Sequence, residues 1–492
     1  MKHIRGGLLC WLSMLLLAAC GGGGGSSAPQ VPMTVVTVTP VTANVMVGQQ
    51  IQLGATTTDA MGNVLTGRVV TWASSNTAVA TVSSTGLVMA LALGKATITA
   101  TSEGQSGTAA LTTTTGLLFA IVSAGSGHTC GVTASGVAYC WGDNSSGQLG
   151  NGTTTNSATP VPVSGALSFA TVSAGGNHTC GATSAGVAYC WGDNSSGQLG
   201  NGTTTNSAMP IVVAGGHIYA ALSAGGRHTC GVTGFTVFCW GDNSSGQLGN
   251  GTLTNSSVPV AISSVGGSSI NLGAGNNHTC MDTVVSAGLG FMGLVYCWGD
   301  NSSGQLGNGT MTNSAVPVLT NYPQASLLSA GTLYSCSLTA TSVVSSVVSC
   351  SGNNGAGQLG NGTMTNSAAP VSVSGGFHFT SLSAGALHAC SPVKSSVNGT
   401  AFSYMYCWGD NSSGQLGNGT KTNSAVPIVV AGGLNFAAVS AGGRHTCGVI
   451  GIGSFLPAAA AAVYCWGDNT FGQLGNSWTT SSPVPVNVAG QS

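Results

Sequence analysis

Short runs of alternating apolar and polar residues, separated by clusters of Gly, Asn, Asp and Ser, make up most of the chain after residue 33. Alternation with a period of two is the pattern of β-strands that bury one face, and the clusters between the runs favour turns. Within residues 34–115, such runs cover 34–40, 45–53, 69–76, 79–82 and 96–100. About seven short strands in a segment of this length predict a β-sandwich.

The pattern over residues 116–492 repeats seven times, and the first cysteines of the copies lie at 130, 180, 230, 280, 336, 390 and 447. In the second copy we predict strands at 169–173, 178–183, 187–192 and 210–213, with a loop at 193–202. Four strands in each of seven units predict a β-propeller. The chain is therefore expected to be all-β, with a seven-bladed β-propeller after an N-terminal sandwich. The last predicted strand, 485–488, is an outer one, so we expect whole blades and leave open whether an exchanged strand closes the ring.

The first 33 residues have the pattern of a targeting segment and a tether. Lys2 and Arg5 precede an apolar stretch, 8–17, and the motif Leu-Ala-Ala-Cys follows at 17–20. This resembles the bacterial lipoprotein signal, and the resemblance implies cleavage before Cys20 and attachment of lipid to its sulfur. The alternative is a plain secretion signal with an incidental cysteine. The Gly/Ser-rich segment 21–33 fits a flexible tether, so we expect a lipid anchor in the cell envelope, and at the outer membrane or cell surface if the cell is Gram-negative.

Sixteen cysteines are present, and fourteen remain after Cys10 in the signal and Cys20 are set aside, which is two for each copy. An even count in an exported chain favours disulfides between neighbouring strands over a metal site, for which each copy lacks a fourth ligand. The predicted pairs are Cys130–Cys140, Cys180–Cys190, Cys230–Cys239, Cys280–Cys297, Cys336–Cys350, Cys390–Cys407 and Cys447–Cys465.

Charge is scarce, since only 3% of residues are charged and the formal net charge is −1. Without a basic field, no nucleic-acid partner is expected, and contact with the membrane is expected through the lipid anchor only. Six of the nine acidic residues share one position of the repeat: Asp143, Asp193, Asp242, Asp300, Asp410 and Asp468. We expect each to accept backbone N–H groups in a turn rather than to bind calcium, which needs six to eight oxygen ligands.

Six histidines also recur: His128, His178, His228, His278, His388 and His445. Six equivalent copies favour a hydrogen bond within the blade structure over a general base, which would need a partner acid or nucleophile. The chain shows no carboxylate pair placed for glycoside hydrolysis, no Gly-x-Ser-x-Gly elbow and no phosphate-binding loop. We therefore expect no enzyme activity, no cofactor and no metal.

Two resemblances support the domain organisation. The run from Trp72 through Asn76, 79–82, 86–88 and 94–100 resembles the bacterial Ig-like group 2 domain, which implies a spacer or an adhesive module with Trp72 in its core. Ser173-Ala174-Gly175, His178, 191–194 and 197–200 are similar to the regulator-of-chromosome-condensation repeat, which implies a seven-bladed propeller. The fifth copy departs from it, with Tyr334 for His, Ser351 for Trp and Asn353 for Asp, and we interpret this as local repacking. Nucleotide exchange on a small GTPase and nucleosome binding are known for the eukaryotic namesake, but are not expected here because the signal exports the chain and a basic surface is missing.

In a four-stranded meander, the loops after strands one and three share one face of the propeller, which we call the first face, and the other loops form the second face. One position of the first face varies between the copies, directly before the recurring histidine. We predict that it forms a recognition ring, although a solvent-facing turn residue could also vary without function. This variable ring consists of Gly127, Asn177, Arg227, Asn277, Leu333, Leu387 and Arg444.

On the second face, three longer apolar segments, 289–292, 402–406 and 455–458, could form an exposed interaction patch or fold onto neighbouring blades. Together these features predict a cell-surface lipoprotein that presents a disulfide-stapled propeller for protein binding or adhesion, with an unknown protein or envelope ligand. One alternative is an inhibitor of an extracellular enzyme such as a β-lactamase, because an inhibitor of that kind is known on this architecture. An enzyme of the envelope is a weaker alternative.

Overall fold

The computed structural model describes residues 31–46, 50–114, 116–234, 236–265, 268–287, 290–342, 345–397, 400–450 and 461–491. The signal segment, the lipidation site Cys20 and most of the tether lie outside these residues. The chain divides into two compact units, Met1–Thr114 and Thr115–Ser492. In the described ranges, no helix combines the length and the apolar character that a membrane crossing requires.

The first unit is a β-sandwich. Its strands are β1 Val35–Thr39, β2 Thr42–Met46, β3 Gln50–Gln52, β4 Gly54–Thr58, β5 Thr71–Ser74, β6 Ala80–Val82, β7 Leu87–Ala90, β8 Gly94–Ser102 and β9 Gln105–Thr114. They form three sheets with the strand orders β1–β4, β2–β9–β8–β5 and β3–β7–β6. The strand predicted at 45–53 with a break at a glycine is divided into two strands, since β2 ends at Met46 and β3 begins at Gln50, and these belong to different sheets.

Alternation along β8 buries Ile98, which packs with Leu111 of β9 and Val88 of β7 in the sandwich core. Trp72 is half-buried and packs against this core. Gly86 lies beneath the indole, where an added Cβ would stand 2.8 Å from the ring. Its φ of 84° also favours glycine, so the turn before β7 and the position of Trp72 depend on the same residue.

The second unit contains seven sheets, and each is formed by four consecutive antiparallel strands in the order of the sequence. The first three blades are built from β10 Phe119–Ala124, β11 His128–Thr133, β12 Ala138–Gly142 and β13 Ser157–Pro162; β14 Phe169–Ala174, β15 His178–Thr183, β16 Ala188–Gly192 and β17 Ser207–Val212; and β18 Ala221–Ala224, β19 His228–Thr233, β20 Thr236–Gly241 and β21 Ser256–Ala261.

Blades 4 and 5 contain β22 Ser268–Ala274, β23 His278–Ala287, β24 Gly290–Gly299 and β25 Ser314–Leu319, then β26 Leu327–Ala330, β27 Tyr334–Ser342, β28 Ser345–Gly352 and β29 Ser367–Ser372. Blades 6 and 7 contain β30 Ser383–Ala384, β31 His388–Val397, β32 Thr400–Gly409 and β33 Ser424–Val429, then β34 Phe436–Ala441, β35 His445–Ile450, β36 Val463–Gly467 and β37 Ser482–Asn487. The predicted all-β fold, with a sandwich and seven blades, is confirmed.

The outer strand of each blade begins earlier than the apolar pattern predicts. In blade 2 it begins at Ser207 rather than at Pro210, because Ser207 pairs with Gly192 across a register shift. The hydroxyl of Ser207 donates to the carbonyl of Met209 at 2.6 Å, close to the register shift where regular pairing between the strands is interrupted. The polar start of these strands hides them from a search for alternating apolar residues.

The ring closes between blade 7 and blade 1 without an exchanged strand in the described residues. Phe119 and Ala461 exchange backbone hydrogen bonds of 3.1 and 3.0 Å, and the amide of Leu117 donates to the carbonyl of Gly490. The other contacts of this junction are those found between other neighbouring blades. Closure therefore depends on the repeated interface and not on a special strand.

The second-face segment 402–406 lies within a strand and is not the exposed loop that its composition suggested. It belongs to β32, Met405 is buried, and Phe402 and Tyr404 are half-buried. Blades 4, 5 and 6 extend the hairpin between the second and third strands, as in β31–β32. The segment 455–458 and residue 289 lie outside the described residues.

Candidate functional site

The first-face loop between the third and fourth strands is a self-contained network of hydrogen bonds. In blade 1, Asp143 accepts the amide of Ser145 at 3.1 Å and the side-chain amide of Gln148 at 2.7 Å. Asn144 is fully buried, accepts the amide of Leu149 at 2.9 Å and donates to the carbonyls of Thr153 and Thr155, each at 3.0 Å. The aspartate therefore accepts a backbone N–H group in a turn, as predicted. Most polar groups of this loop find their hydrogen-bond partners within the loop.

This loop also fixes the backbone of the variable ring. The amide of Asp143 donates to the carbonyl of Gly127 at 2.9 Å, and that of Asp242 donates to the carbonyl of Arg227 at 2.9 Å. Equivalent bonds reach the other five ring residues, including Leu333 in the divergent blade 5. The seven ring residues therefore occupy equivalent backbone positions, and all of them except Gly127 present a side chain.

The recurring histidines join neighbouring blades. His128 Nε2 lies 2.8 Å from Thr179 Oγ1, and Thr179 Oγ1 donates to the carbonyl of Gln148 at 2.9 Å. Since the hydroxyl proton goes to the carbonyl, the imidazole N–H is the donor in the first bond. At the ring closure, His445 Nε2 lies 2.7 Å from Thr129 Oγ1 in the same arrangement. The predicted structural hydrogen bond thus connects blades.

All six histidines are fully buried and neutral. Burial, with a smaller contribution from His178 and His445, lowers the pKa of His128 from 6.5 to about 3. Burial likewise lowers the pKa of His228 and His388 to about 3, and that of His178, His278 and His445 to about 4. A base that is weak, inaccessible and already hydrogen bonded cannot take a proton from a substrate. These groups therefore serve the fold.

The axis of the propeller is surrounded by main chain. Ser126 N donates to the carbonyl of Gly175 at 3.0 Å, and Gly443 N closes the circle on Gly125 at 2.9 Å. The axial opening has a volume of about 130 Å³ and is lined by one short turn from each blade. These turns are 124–126, 174–176, 224–226, 274–276, 330–332, 384–386 and 441–443.

The fourteen propeller cysteines form the seven predicted pairs, each between directly opposed residues of the second and third strands of one blade. The Cα–Cα distances are 4.0 to 4.1 Å, and the sulfurs are bonded in every pair. All fourteen side chains are buried. Each bond therefore links two strands inside a blade, and none links one blade to the next.

Blade 5 contains compensating changes that the sequence did not reveal. Tyr334 replaces the histidine, and its hydroxyl donates to the carbonyl of His388, where the residue at the threonine position is Ala389. Ser351 replaces the tryptophan, and Tyr322 packs in its place, with its hydroxyl 2.7 Å from Ser351 Oγ. Both changes preserve a buried contact between blades with different side chains.

Three apolar side chains lie on the first face in blades 5 to 7, where the ring also contains Arg444. Leu333 and Leu387 of the variable ring lie in blades 5 and 6, and Leu387 is 37% exposed. Phe471 of the blade 7 loop is 42% exposed and reaches over Gly127, where an added Cβ would lie 3.3 Å from its ring. We call Leu333, Leu387 and Phe471 the apolar arc. Elsewhere on this face, Arg227 donates to Ser195 Oγ at 2.8 Å.

Family models match both parts of the chain. The bacterial Ig-like domain (group 2) matches residues 32–113. The regulator of chromosome condensation (RCC1) repeat matches 135–182, 185–232, 236–281, 292–338, 404–449 and 461–492, and a second model with the same description matches 119–148, 169–198 and 436–473.

Curated relatives match only short parts. The human E3 ubiquitin-protein ligase HERC2 is 32% identical over 161 residues, which is 31% of this chain and 3% of the ligase. The human probable E3 ubiquitin-protein ligase HERC4 is 38% identical over 86 residues, which is 17% of this chain and 7% of that protein. The chain therefore spans a small fraction of the length of these relatives.

Solved structures share the fold. Yeast RCC1 (Prp20) bound to Kap60 aligns with a TM-score of 0.58 and 17% identity, covering 75% of this chain and 85% of that chain. Human WBSCR16 aligns with a TM-score of 0.56 and 21% identity, covering 67% of this chain and 87% of that chain. At this identity the likeness concerns the fold alone.

Proposed function

Because the chain belongs to the regulator of chromosome condensation (RCC1) repeat family, we propose that its propeller is a protein-binding platform on the bacterial cell envelope, with the first face as the binding surface. The observation that carries this proposal is the variable ring, in which one glycine, two asparagines, two arginines and two leucines occupy the same position of one repeated backbone. Because the backbone that carries these residues is rigid, less conformational entropy is lost on binding. Yeast RCC1, which has this fold, is described in complex with the protein Kap60.

The chemistry of the repeat supports binding rather than catalysis. The recurring histidines are neutral and buried, and the recurring aspartates are engaged in turns. Among the described residues, no group of three or more His, Cys, Asp or Glu side chains is placed to hold a metal ion. A binding surface needs exposed apolar and polar groups on a fixed frame, which the first face has.

Site-specific photocrosslinking in intact cells tests the surface. A photoreactive phenylalanine analogue at Leu387, on the first face, is expected to capture a defined protein partner. The same analogue at Ile218, which is 60% exposed on the second face, is the matched control. Equal capture at both positions, or capture only at Ile218, would contradict the assignment of the first face.

Anchoring at Cys20 forms the second part of the proposal, because the segment before it resembles a lipoprotein signal. We expect metabolic labelling with an alkyne fatty acid to label the protein, and Cys20→Ala to abolish that label. Membrane fractionation should move the variant from the membrane to the soluble fraction. Unchanged labelling in Cys20→Ala would overturn the anchor and leave the binding surface untouched.

A further inference from the structure

Six carboxylates surround the mouth of the first face, and we call this set the acidic collar. They lie in the loops whose amides hold the variable ring, so collar and ring share one surface. The collar consists of Asp143, Asp193, Asp242, Asp300, Asp410 and Asp468.

The collar is only partly shielded. Asp143, Asp193, Asp242 and Asp468 are half-buried, whereas Asp300 and Asp410 are each 9% exposed. Burial alone would raise the pKa of Asp468, but hydrogen bonds from Thr470, Ser481 and Gln473 lower it below its ordinary value. The half-buried Asp468 carboxylate therefore contributes negative charge at the surface of this face.

Blade 5 demonstrates that the loop does not require this charge. Asn353 stands at the collar position, and its Oδ1 accepts the side-chain amide of Gln358 at 2.6 Å and the amide of Gly355 at 3.1 Å. The neighbouring Asn354 still donates to the carbonyl of Thr363 at 2.9 Å. An uncharged side chain thus builds the same turn, and the six negative charges exceed what the fold needs.

The charge on this face is unbalanced. The first-face loops contain six aspartates and three cations, Arg227, Arg444 and Lys421, so three positive and six negative charges give them a net charge of −3. Arg227 already donates to Ser195, whose hydroxyl donates to Asp193 at 3.1 Å. The apolar arc lies on the same face, because Leu333 and Leu387 belong to the variable ring and Phe471 belongs to the loop that contains Asp468.

We propose that the first face recognises a basic and apolar segment of a partner protein, with cationic side chains against the acidic collar and apolar side chains against the apolar arc. The inference rests on the proposed function and adds to it the chemistry of the partner. Complementary charge speeds association and orients the partner, whereas burial of the arc provides non-directional affinity. An acidic segment would face repulsion from the same carboxylates.

Three labelled synthetic peptides of equal length test the inference with the full-length protein: alternating Lys/Leu, Lys/Ser and Glu/Leu. We expect Lys/Leu to bind at least about tenfold more tightly than either of the others in fluorescence anisotropy, and to weaken as salt is raised, because exposed charges are screened. Equal or tighter binding of Glu/Leu would overturn the inference.

The decisive variant changes the four half-buried collar residues to asparagine, following blade 5: Asp143→Asn, Asp193→Asn, Asp242→Asn and Asp468→Asn. It moves the charge of the first-face loops from −3 to +1, and it should weaken Lys/Leu binding at least about tenfold. The control Asp59→Asn removes an aspartate from the sandwich and should change nothing. Circular dichroism checks the fold, and Arg227→Ala with Arg444→Ala gives the opposite test, since it should tighten Lys/Leu binding.

The outcomes separate this inference from the proposed function. If photocrosslinking at Leu387 persists at full yield in the asparagine variant, and its peptide affinity is unchanged, the collar has no role and the inference is wrong, while the binding surface stands. If crosslinking at Leu387 fails in the unaltered protein, the proposed surface itself is wrong. Loss of peptide binding together with reduced crosslinking in the asparagine variant supports both.

Discussion

The junction between blades 5 and 6 suggests a two-residue exchange that can be installed between blades 1 and 2. Blade 1 has His128 donating to Thr179, whereas blade 5 has Tyr334 reaching past Ala389 to a backbone carbonyl. We predict that His128→Tyr and Thr179→Ala each destabilise the propeller, and that the double variant recovers most of the loss.

The magnitudes follow from the buried contacts. Thr179→Ala leaves the fully buried His128 Nε2–H without its acceptor, which costs about 1–3 kcal/mol. His128→Tyr pushes a longer side chain against the Thr179 hydroxyl, and overpacking of this kind costs about 1–3 kcal/mol. In the double variant the space left by the hydroxyl admits the tyrosine, so a coupling energy of about 2 kcal/mol is expected, as for residues in contact.

Guanidinium unfolding of the disulfide-intact protein, followed by circular dichroism, gives the four free energies of the cycle. The control pairs His128→Tyr with Thr279→Ala, which belongs to the junction between blades 3 and 4. That combination should be additive within about 0.5 kcal/mol, as for residues that do not touch. Additivity in the His128 and Thr179 cycle would refute the claim that Tyr334 and Ala389 compensate each other.

The buried histidines, the disulfides and the contacts between blades give four further predictions. Folded pKa values of about 3 to 4 for the six histidines lie below the 6.5 of an unfolded histidine. The unfolded chain therefore binds more protons than the folded chain below pH 6.5, and acid lowers stability. Denaturation measured at pH 7 and at pH 5 should show that the unfolding free energy falls by about 2 kcal/mol per histidine. An unfolding free energy that does not change with pH would contradict this. In blade 3, Ser223 accepts the amide of Ala274, and the equivalent residue of blade 4 is Gly273. Because a Cβ added at Gly273 would meet nothing closer than 3.4 Å, Gly273→Ser should add the missing hydrogen bond and raise the unfolding free energy by about 1 kcal/mol. Destabilisation would show that the space is absent. Mass spectrometry after alkylation of the denatured, unreduced protein should find the propeller cysteines unlabelled, and labelling in most blades would reject the pairing. A circular permutant of the propeller that joins residue 491 to residue 117 and opens the chain between 165 and 166 should have a denaturation midpoint similar to that of the unaltered protein, because the amide of Leu117 already donates to the carbonyl of Gly490. Failure to fold would show that closure needs the natural ends.

The regular parts of the fold could be predicted because the sequence states them seven times. The strand His178–Thr183 occurs at the predicted residues, since alternation and the two flanking glycine-rich turns define both ends. The cysteine pairing followed from the even count and from the varying separation of the two members. In contrast, Ser207 begins an outer strand without an apolar residue, so periodicity gave no signal there.

The compensations in blade 5 could not be predicted because they join residues that are distant in the chain. Tyr322 precedes the innermost strand of its blade, and nothing in its neighbourhood indicates that it replaces a tryptophan at position 351. Ala389 looks like an ordinary substitution until Tyr334 is seen to pass over it. Sequence comparison among the copies identified where the repeat changes, but only the packing between blades explains how the ring tolerates the change.

The disulfides and the ring closure stabilise different levels of the molecule. Each disulfide closes a loop of 9 to 18 residues inside one blade and restricts the unfolded chain, by about 3 kcal/mol each for loops of this size. The junctions between blades depend instead on uncharged hydrogen bonds, such as Trp141 Nε1 to the carbonyl of Gln473 at 2.9 Å across the closure. Ionic strength should therefore affect the junctions little, since neutral partners are not screened as ion pairs are. Because salt leaves the frame unchanged, a salt-dependent affinity at the first face reports on the acidic collar and not on loosening of the ring.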